Sequence, residues 1–260
     1  TLFANGIYNH RNDWENRYRT IYKDIEYDED SDSWKGVMKK ETKGGTNDIK
    51  NARLEDQRMM TFSLGGEHQF GRIEADWTAS YSKASEERPN ERYIAYKVKK
   101  LTFTTDFSDK SAPRITGVTP ASAADFSSDY KFDEITEEFQ FTEDIDKNFK
   151  LNFTIPLLEN NFKNSIKLGV RYKGKEKMRD NRLFEYTPVD KDAFNSTTLS
   201  NLNDFTKNNF LAGDYKTGKN VTREYLGGLD LNNSSLFEEE RSAEGEAGNF
   251  NATENIIGGY

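Results

Sequence analysis

The sequence predicts an all-β protein, built as a partial antiparallel transmembrane β-barrel of about six or seven strands. Apolar and polar residues alternate in several runs, which puts every second side chain on one face of a strand. Tight turns join these runs in pairs, and long segments separate the pairs. Short periplasmic turns and long extracellular loops are typical of such barrels. The prediction therefore treats residues 1–260 as one partial barrel domain.

The first two predicted hairpins cover residues 1–27 and 57–84. In the first, a less regular pair of strands at 2–9 and 14–27 is expected to turn near residues 11–13. In the second, a tight turn at Gly71 requires the two strands to be antiparallel neighbours. One face of its first strand reads Met60, Phe62, Leu64, Gly66, His68 and Phe70.

A third hairpin is predicted over 147–175, with a short connection at 159–164. A seventh strand is expected to begin within 251–260. The alternating apolar face of the third hairpin reads Phe149, Leu151, Phe153 and Ile155, and then Ile166, Leu168, Val170 and Tyr172. Each regular run supplies about the 9 to 11 residues that a tilted strand needs to cross a bilayer.

Three long loops are predicted between the hairpins, at about 28–56, 85–131 and 176–250. Their periodicity is weak, and the last is rich in Asn, Asp, Gly and Ser. Loops of this length are uncommon inside compact soluble domains, and extracellular loops of a barrel explain them more simply.

Two stretches that flank the second loop, 92–100 and 130–141, retain residues typical of strands. They are expected to extend barrel strands into the aqueous space. The acidic stretch 134–146 allows a helical turn as the alternative. Because six or seven strands leave two unpaired edges, the chain is expected to be a fragment of a larger barrel.

The composition excludes several classes of protein. The chain has no cysteine, a formal net charge of -8 and a mean hydropathy of -0.94. Disulfide frameworks and thiolate metal sites are therefore excluded, and the acidic balance argues against a nucleic-acid partner. No run of 18 apolar residues predicts a membrane-spanning helix, but alternating barrel strands escape that test. The densest basic stretches, 97–100 and 173–179, are expected to be solvated strand faces.

No catalytic, cofactor or metal site is predicted, and the chain is not expected to be an enzyme. His10 and His68, the two histidines, lie in no metal-binding spacing, and no hydrolase or nucleotide-binding motif occurs. The acidic run at 28–32 offers oxygens for calcium, but it lacks the glycine and the distal glutamate of an EF-hand. We expect a solvated acidic loop there.

Aromatic residues suggest two roles. Four are candidates for the girdle at a membrane interface, namely Trp14, Tyr18, Phe70 and Trp77. Five more fall in the predicted extracellular loops and are candidate ligand contacts, namely Trp34, Tyr93, Tyr96, Phe194 and Tyr215. Packing of the loops is the competing use of each of these five rings.

The residues at 63–96, SLGGEHQFGRIEADWTASYSKASEERPNERYIAY, resemble a strand, periplasmic turn and rising strand of TonB-dependent outer-membrane receptors. The stretch 148–186 resembles the next hairpin of the same barrels. The resemblance implies a barrel of about 22 strands closed by a plug. It also implies a bacterial outer-membrane location, with lipid around the barrel.

The same resemblance implies active transport. Its expected ligand is a small-molecule or oligosaccharide nutrient, such as a ferric siderophore, a cobalamin-like cofactor or a glycan. Energy would come from the TonB complex, through N-terminal segments that these residues do not include, and a surface lipoprotein is a further partner that the resemblance allows. The alternative is a soluble secreted or surface β-sandwich that acts as a binding or adhesion module.

Overall fold

The computed structural model describes residues 1–49, 53–157, 164–209 and 215–260. In these residues the chain folds mainly into antiparallel β-strands with a few short helices, which confirms the all-β class. The strands form one large sheet and a small two-stranded sheet. The large sheet is open, so a closed barrel is not formed by the described residues.

Strands account for most of the described chain. They are β1 (Leu2–Glu15), β2 (Arg17–Asp28), β3 (Ser33–Gly44), β4 (Arg53–Phe70), β5 (Ile73–Asp106), β6 (Arg114–Thr119), β7 (Lys131–Pro156), β8 (Ser165–Pro188), β9 (Leu202–Asp204), β10 (Lys219–Val221), β11 (Phe237–Arg241) and β12 (Phe250–Gly259). The helices are α1 (Lys191–Leu199), α2 (Arg223–Gly227) and α3 (Ala243–Ala247), with 3-10 turns at Asn47–Ile49 and Ala121–Ala124.

The sheet has two tiers because β5 pairs with different strands along its length. Its first half pairs with β4, which pairs with β1, and its second half pairs with β3, which pairs with β2. On the other side β7 and β8 run through both tiers, with β12 beside the first half of β8 and β11 beside its end. We call the tier with β1, β4 and β12 the lower sheet, and the tier with β2, β3 and β11 the upper sheet.

The predicted hairpin at 57–84 is present as β4 and β5. The two strands pair from Phe70 with Ile73 up to Asp56 with Glu87. Gly71 has φ +61°, a conformation that glycine adopts without steric cost. The third predicted hairpin is present as β7 and β8, although residues 159–163 of its connection lie outside the described residues.

The predicted hairpin at 1–27 is wrong. β1 does not turn near 11–13; it pairs with β4 along its length, and the chain continues through Asn16 into β2 in the same direction. The turn comes later, between β2 and β3. Polar residues at 11–13 resemble a turn in sequence, but they lie in a strand that pairs with β4 on one side.

The predicted long loops are also largely wrong, because regular structure occupies most of them. β3 lies within 28–56, β5 continues through 85–106, and β8 continues to Pro188. The expected strand extensions at 92–100 and 130–141 are confirmed, and the helical alternative at 134–146 is wrong. A strand over 251–260 is confirmed as β12, which pairs with β8.

The hydrophobic core belongs to the upper sheet. We call residues 107–130 and 189–236, apart from β6, the covering segments; their described parts pack over one face of that sheet. From the sheet come Met38, Ile94, Tyr96, Val98, Leu101, Phe103, Ile135, Tyr186 and Phe237, and from the covering segments Ala123, Phe126, Tyr130, Val221, Leu226 and Leu231. The lower sheet has no comparable cover among the described residues.

β7 and β8 pair without a register shift through both tiers. Ile135 and Tyr186, which face the core, therefore lie on the same side of the sheet as Phe149 and Leu168 below. The covering segments thus lie on the same side as the apolar face of the lower sheet, which is described next.

Candidate functional site

One face of the lower sheet is apolar and exposed. The register brings the apolar members of each strand side by side; for example, Leu64 lies beside Ala4 and Ala79, and Phe153 beside Leu168. Phe62, Phe70 and Ile257 are 61, 63 and 81% exposed. We call this surface the apolar face, and its members are Leu2, Ala4, Phe62, Leu64, Phe70, Ile73, Ala75, Trp77, Ala79, Phe149, Leu151, Phe153, Ile155, Ile166, Leu168, Val170 and Ile257.

The apolar face ends in a charged belt toward the upper sheet. There Lys83 Nζ lies 2.7 Å from Glu143 Oε2, and Lys147 Nζ lies 2.6 Å from Glu176 Oε1. The eight steps from Phe62 to Phe70 cover about 27 Å along a strand, or about 21 Å along the membrane normal at a tilt of about 40°. This height is close to the apolar band of about 25 Å that encircles outer-membrane barrels.

The aromatic residues proposed as a girdle do not form one group. Phe70 and Trp77 lie on the apolar face near the tight turn, and Trp77 Nε1 donates a hydrogen bond to His68 Nε2 at 3.2 Å. Trp14 is exposed near the other end of β1. Tyr18 is wrong as a girdle residue, because it stacks on Phe205 of the covering segments at a centroid distance of 3.5 Å.

The opposite face of the lower sheet is polar, and we call it the polar face. Asn152 is buried there and donates a hydrogen bond to Asp76 Oδ1 at 2.6 Å. Farther up, Lys175 Nζ lies 3.3 Å from Asp144 Oδ2, and Arg88 lies 2.9 Å from Glu86. On β4, β5, β7 and β8, polar residues thus alternate with the members of the apolar face.

In the upper sheet the polar face carries a network of ion pairs around Tyr93. Its hydroxyl donates to Glu41 Oε2 at 2.9 Å, while the Lys39 and Lys43 ammonium groups lie 5.1 and 5.6 Å from the ring centroid. Burial, and secondly the Glu41 charge, raise the pKa of Tyr93. Arg19 also pairs with Glu41.

Polar side chains of the upper sheet, among them Arg92, Thr42 and Lys40, form hydrogen bonds to the covering segments. Arg92 donates from Nη1 to the Leu229 carbonyl oxygen at 2.8 Å, and from Nε to Glu137 Oε1 at 2.8 Å. Thr42 donates to the Val221 carbonyl oxygen at 2.7 Å.

Lys40 is the third of these side chains. It donates to the Thr217 carbonyl oxygen and to Thr20 Oγ1, each at 2.7 Å. Burial lowers the pKa of Lys40 to about 8, although Asp125, 3.8 Å away, acts in the opposite direction.

The five candidate ligand contacts are dispersed. Tyr96 is only 1% exposed and its ring lies in the core. Trp34 packs against Tyr27 and Phe107, with centroids 5.2 and 5.6 Å apart. Tyr215 donates to the Pro113 carbonyl oxygen at 3.1 Å. Tyr93 is held in the network described above.

Phe194 differs from the other four because it lines a cavity of about 440 Å³ in the covering segments. Tyr225 and Phe237 also line this cavity. Asp190 borders it, but its carboxylate already caps α1 by accepting from the Asp192 and Ala193 amides at 3.1 and 2.9 Å. The ring of Phe194 also packs on Phe132 and Phe237, so it contributes to the core as well.

The acidic run at 28–32 forms the turn between β2 and β3. Asp28 pairs with Lys35, and Asp32 accepts a hydrogen bond from Tyr27, so both carboxylates have protein partners. The Lys35 contact, and secondly a hydrogen bond from Ser31, lower the pKa of Asp28 to about 2. Within the described ranges, no group of three or more metal-ligating side chains is arranged to hold an ion.

Sequence reasoning missed the arrangement of cations on the polar face. Six of them occupy alternate positions of β8, namely Lys167, Arg171, Lys173, Lys175, Lys177 and Arg179. The alternation of these cations is visible in the sequence, but only the strand register shows which residues they face.

Over the residues that the structure describes, no helix has the length and apolarity required to cross a membrane. No protein-family model, curated protein or solved structure matches this chain.

Proposed function

We propose that this chain forms part of the wall of an outer-membrane β-barrel receptor, which binds a nutrient and imports it with energy from a TonB complex. The observation that carries the proposal is the exposed apolar face, backed by a polar face on the same strands. Lipid would contact the first, and the polar face would line the interior. The transport role is supported by the resemblance of the two hairpins to TonB-dependent receptors.

The edges of the sheet support the same proposal. β1 and β12 each have one side without a strand partner among the described residues. Unpaired backbone groups are costly in hydrocarbon, so further strands would have to continue the sheet from both edges and close it. A surrounding barrel supplies such strands.

The position of the covering segments sets where a ligand could bind. They share a side with the apolar face, so in a barrel they would lie outside the wall and above the lipid. The network around Tyr93 is on the other side, which would face the interior. Of the five predicted ligand contacts, Tyr93 is therefore the ring closest to the proposed path, although it is held by its neighbours.

Site-directed spin labelling tests the proposal, because the chain has no native cysteine to label. The matched variants are Phe62→Cys on the apolar face and Ser63→Cys, its neighbour on the polar face. In lipid bilayers, the label at 62 should collide frequently with oxygen, which concentrates in lipid, and the label at 63 with a water-soluble nickel complex.

A label at 62 that is protected from both reagents would contradict the proposal, since the apolar face would then pack against protein. Purification of the full chain as a stable monomer without detergent would contradict it too. That outcome would favour the soluble β-sandwich.

A further inference from the structure

We infer that the lower part of the polar face is a binding strip for a small anion that carries several phosphate or carboxylate groups. The strip consists of Lys150, Lys167, Arg171 and Lys173. The inference rests on the proposed function for its location, since the strip would line the interior of the barrel at the depth of the apolar face. The positive charge of the strip, in contrast, follows from the strand register and does not depend on the proposed function.

Register places these cations next to each other without carboxylates between them. Lys150 lies directly across from Arg171, and Lys173 lies two residues further along the same face. On the other side of β8, Arg171 faces Gly258 and Lys173 faces Ile256. On the other side of β7, Lys150 faces Thr78. The residues directly opposite are therefore neutral or positively charged, and Asp76, two residues from Thr78 on the same face, accepts a hydrogen bond from Asn152.

Like charges that lie directly opposite each other destabilise a sheet. On the rest of the polar face this cost is avoided, because cations such as Lys175 and Arg88 lie beside carboxylates. In the described part of the chain, no salt bridge joins any of the four strip cations to a carboxylate. An anion bound on the strip would relieve the repulsion.

The spacing favours a ligand with more than one charged group. Residues on the same face of a strand are about 7 Å apart, so the cations from Lys167 to Lys173 extend over a distance longer than a single phosphate or carboxylate group. Arg171 offers planar paired donors, and the lysines add three flexible point charges. Charged side chains at bilayer depth commonly mark a substrate or ion path, and rings of Lys or Arg select anions.

The test measures binding of inorganic triphosphate and of citrate to the full chain in detergent micelles by titration calorimetry. The main variant is Lys150→Gln combined with Arg171→Gln. Lys147→Gln is the matched control, because Lys147 is three residues away on the same strand but on the opposite face, paired with Glu176. A circular dichroism spectrum of each variant shows whether the sheet has formed.

The double variant should bind triphosphate at least about tenfold more weakly, since it removes two charged donors that the anion would contact. The control should bind within about twofold of the native chain. Lys173→Glu should weaken binding as well, which gives a second result should the double variant fail to fold. Salt should weaken binding of the native chain.

Equal binding by the double variant and the native chain would overturn the inference. So would a native chain that binds neither anion, which is the result expected if an acidic protein segment already covers the strip. The spin-label result is independent of both. Protected labels with retained triphosphate binding would refute the barrel alone, and lipid-exposed labels without anion binding would refute the strip alone.

Discussion

Replacing Arg92 with methionine should detach α2 and its neighbours from the upper sheet. Arg92 is buried, forms an ion pair with Glu137, and donates to carbonyl oxygens at the end of α2, including that of Gly227 at 3.3 Å. The variant leaves the Glu137 carboxylate buried without its cation. Removing one partner of a buried ion pair costs about 3–5 kcal/mol.

The contacts of Arg92 join one covering segment to the sheet. The free-energy cost of the variant should therefore appear as local unfolding of that segment and not of the whole chain. About 3 kcal/mol corresponds to a loss of roughly 150-fold in the protection of the α2 amides. Hydrogen exchange followed by mass spectrometry on peptides that cover 223–237 measures this loss. Peptides from β4 should change little, since β4 belongs to the lower sheet whereas α2 packs on β3 and β5 of the upper sheet.

Arg182→Met is the matched control. Arg182 is an exposed arginine on β8 whose guanidinium lies 5.2 Å from the centroid of the Phe139 ring, so its loss should change exchange by less than about threefold. Combining Arg92→Met with Glu137→Met should restore part of the protection, because both buried charges are then absent. The prediction is wrong if Arg92→Met alone leaves the α2 peptides within about threefold of the native chain.

Three further predictions concern single positions. Because burial lowers the folded-state pKa of Lys40 to about 8, the unfolded state holds more protons above that pH, so stability should rise between about pH 8 and 10. Urea titrations at several pH values should show that rise, up to about 3 kcal/mol, reduced in Lys40→Met. Gly71→Ala should lower the urea midpoint by straining the left-handed turn, at a cost of about 1 kcal/mol, whereas Gly258→Ala, with open space at its Cβ, should not. Phe205→Leu removes the stack on Tyr18 and should lower the local free energy of unfolding by about 0.5–1.5 kcal/mol. Hydrogen exchange should therefore become faster in β9 but not in β4. Unchanged exchange in β9 would contradict the prediction.

The lower sheet was largely predictable because its two faces differ. β4 and the first half of β5 present one apolar face and one polar face, so alternation identified both strands and the turn at Gly71. The first hairpin failed for a different reason. Nothing local distinguishes a turn at 11–13 from a strand that pairs with residues about 45 positions away.

The upper sheet was not predictable in the same way, because its core face includes polar side chains. Lys40, Thr42 and Arg92 alternate with apolar residues there and fasten the covering segments through carbonyl oxygens. In the sequence alone, such positions are typical of loops. The same applies to Tyr96 and Phe194, because an aromatic ring in a predicted loop suggests ligand contact in the sequence, whereas both rings pack in or against the core.

β5 is long enough to carry the upper sheet far from its apolar base. With 34 residues, it extends for about 110 Å, of which the apolar face accounts for only about a quarter. In a bilayer, at a tilt of about 40°, the tip of the strand would stand several tens of ångströms above the headgroups. Under the proposed function, the upper sheet would therefore contact the aqueous surroundings, and the lower sheet alone would contact lipid.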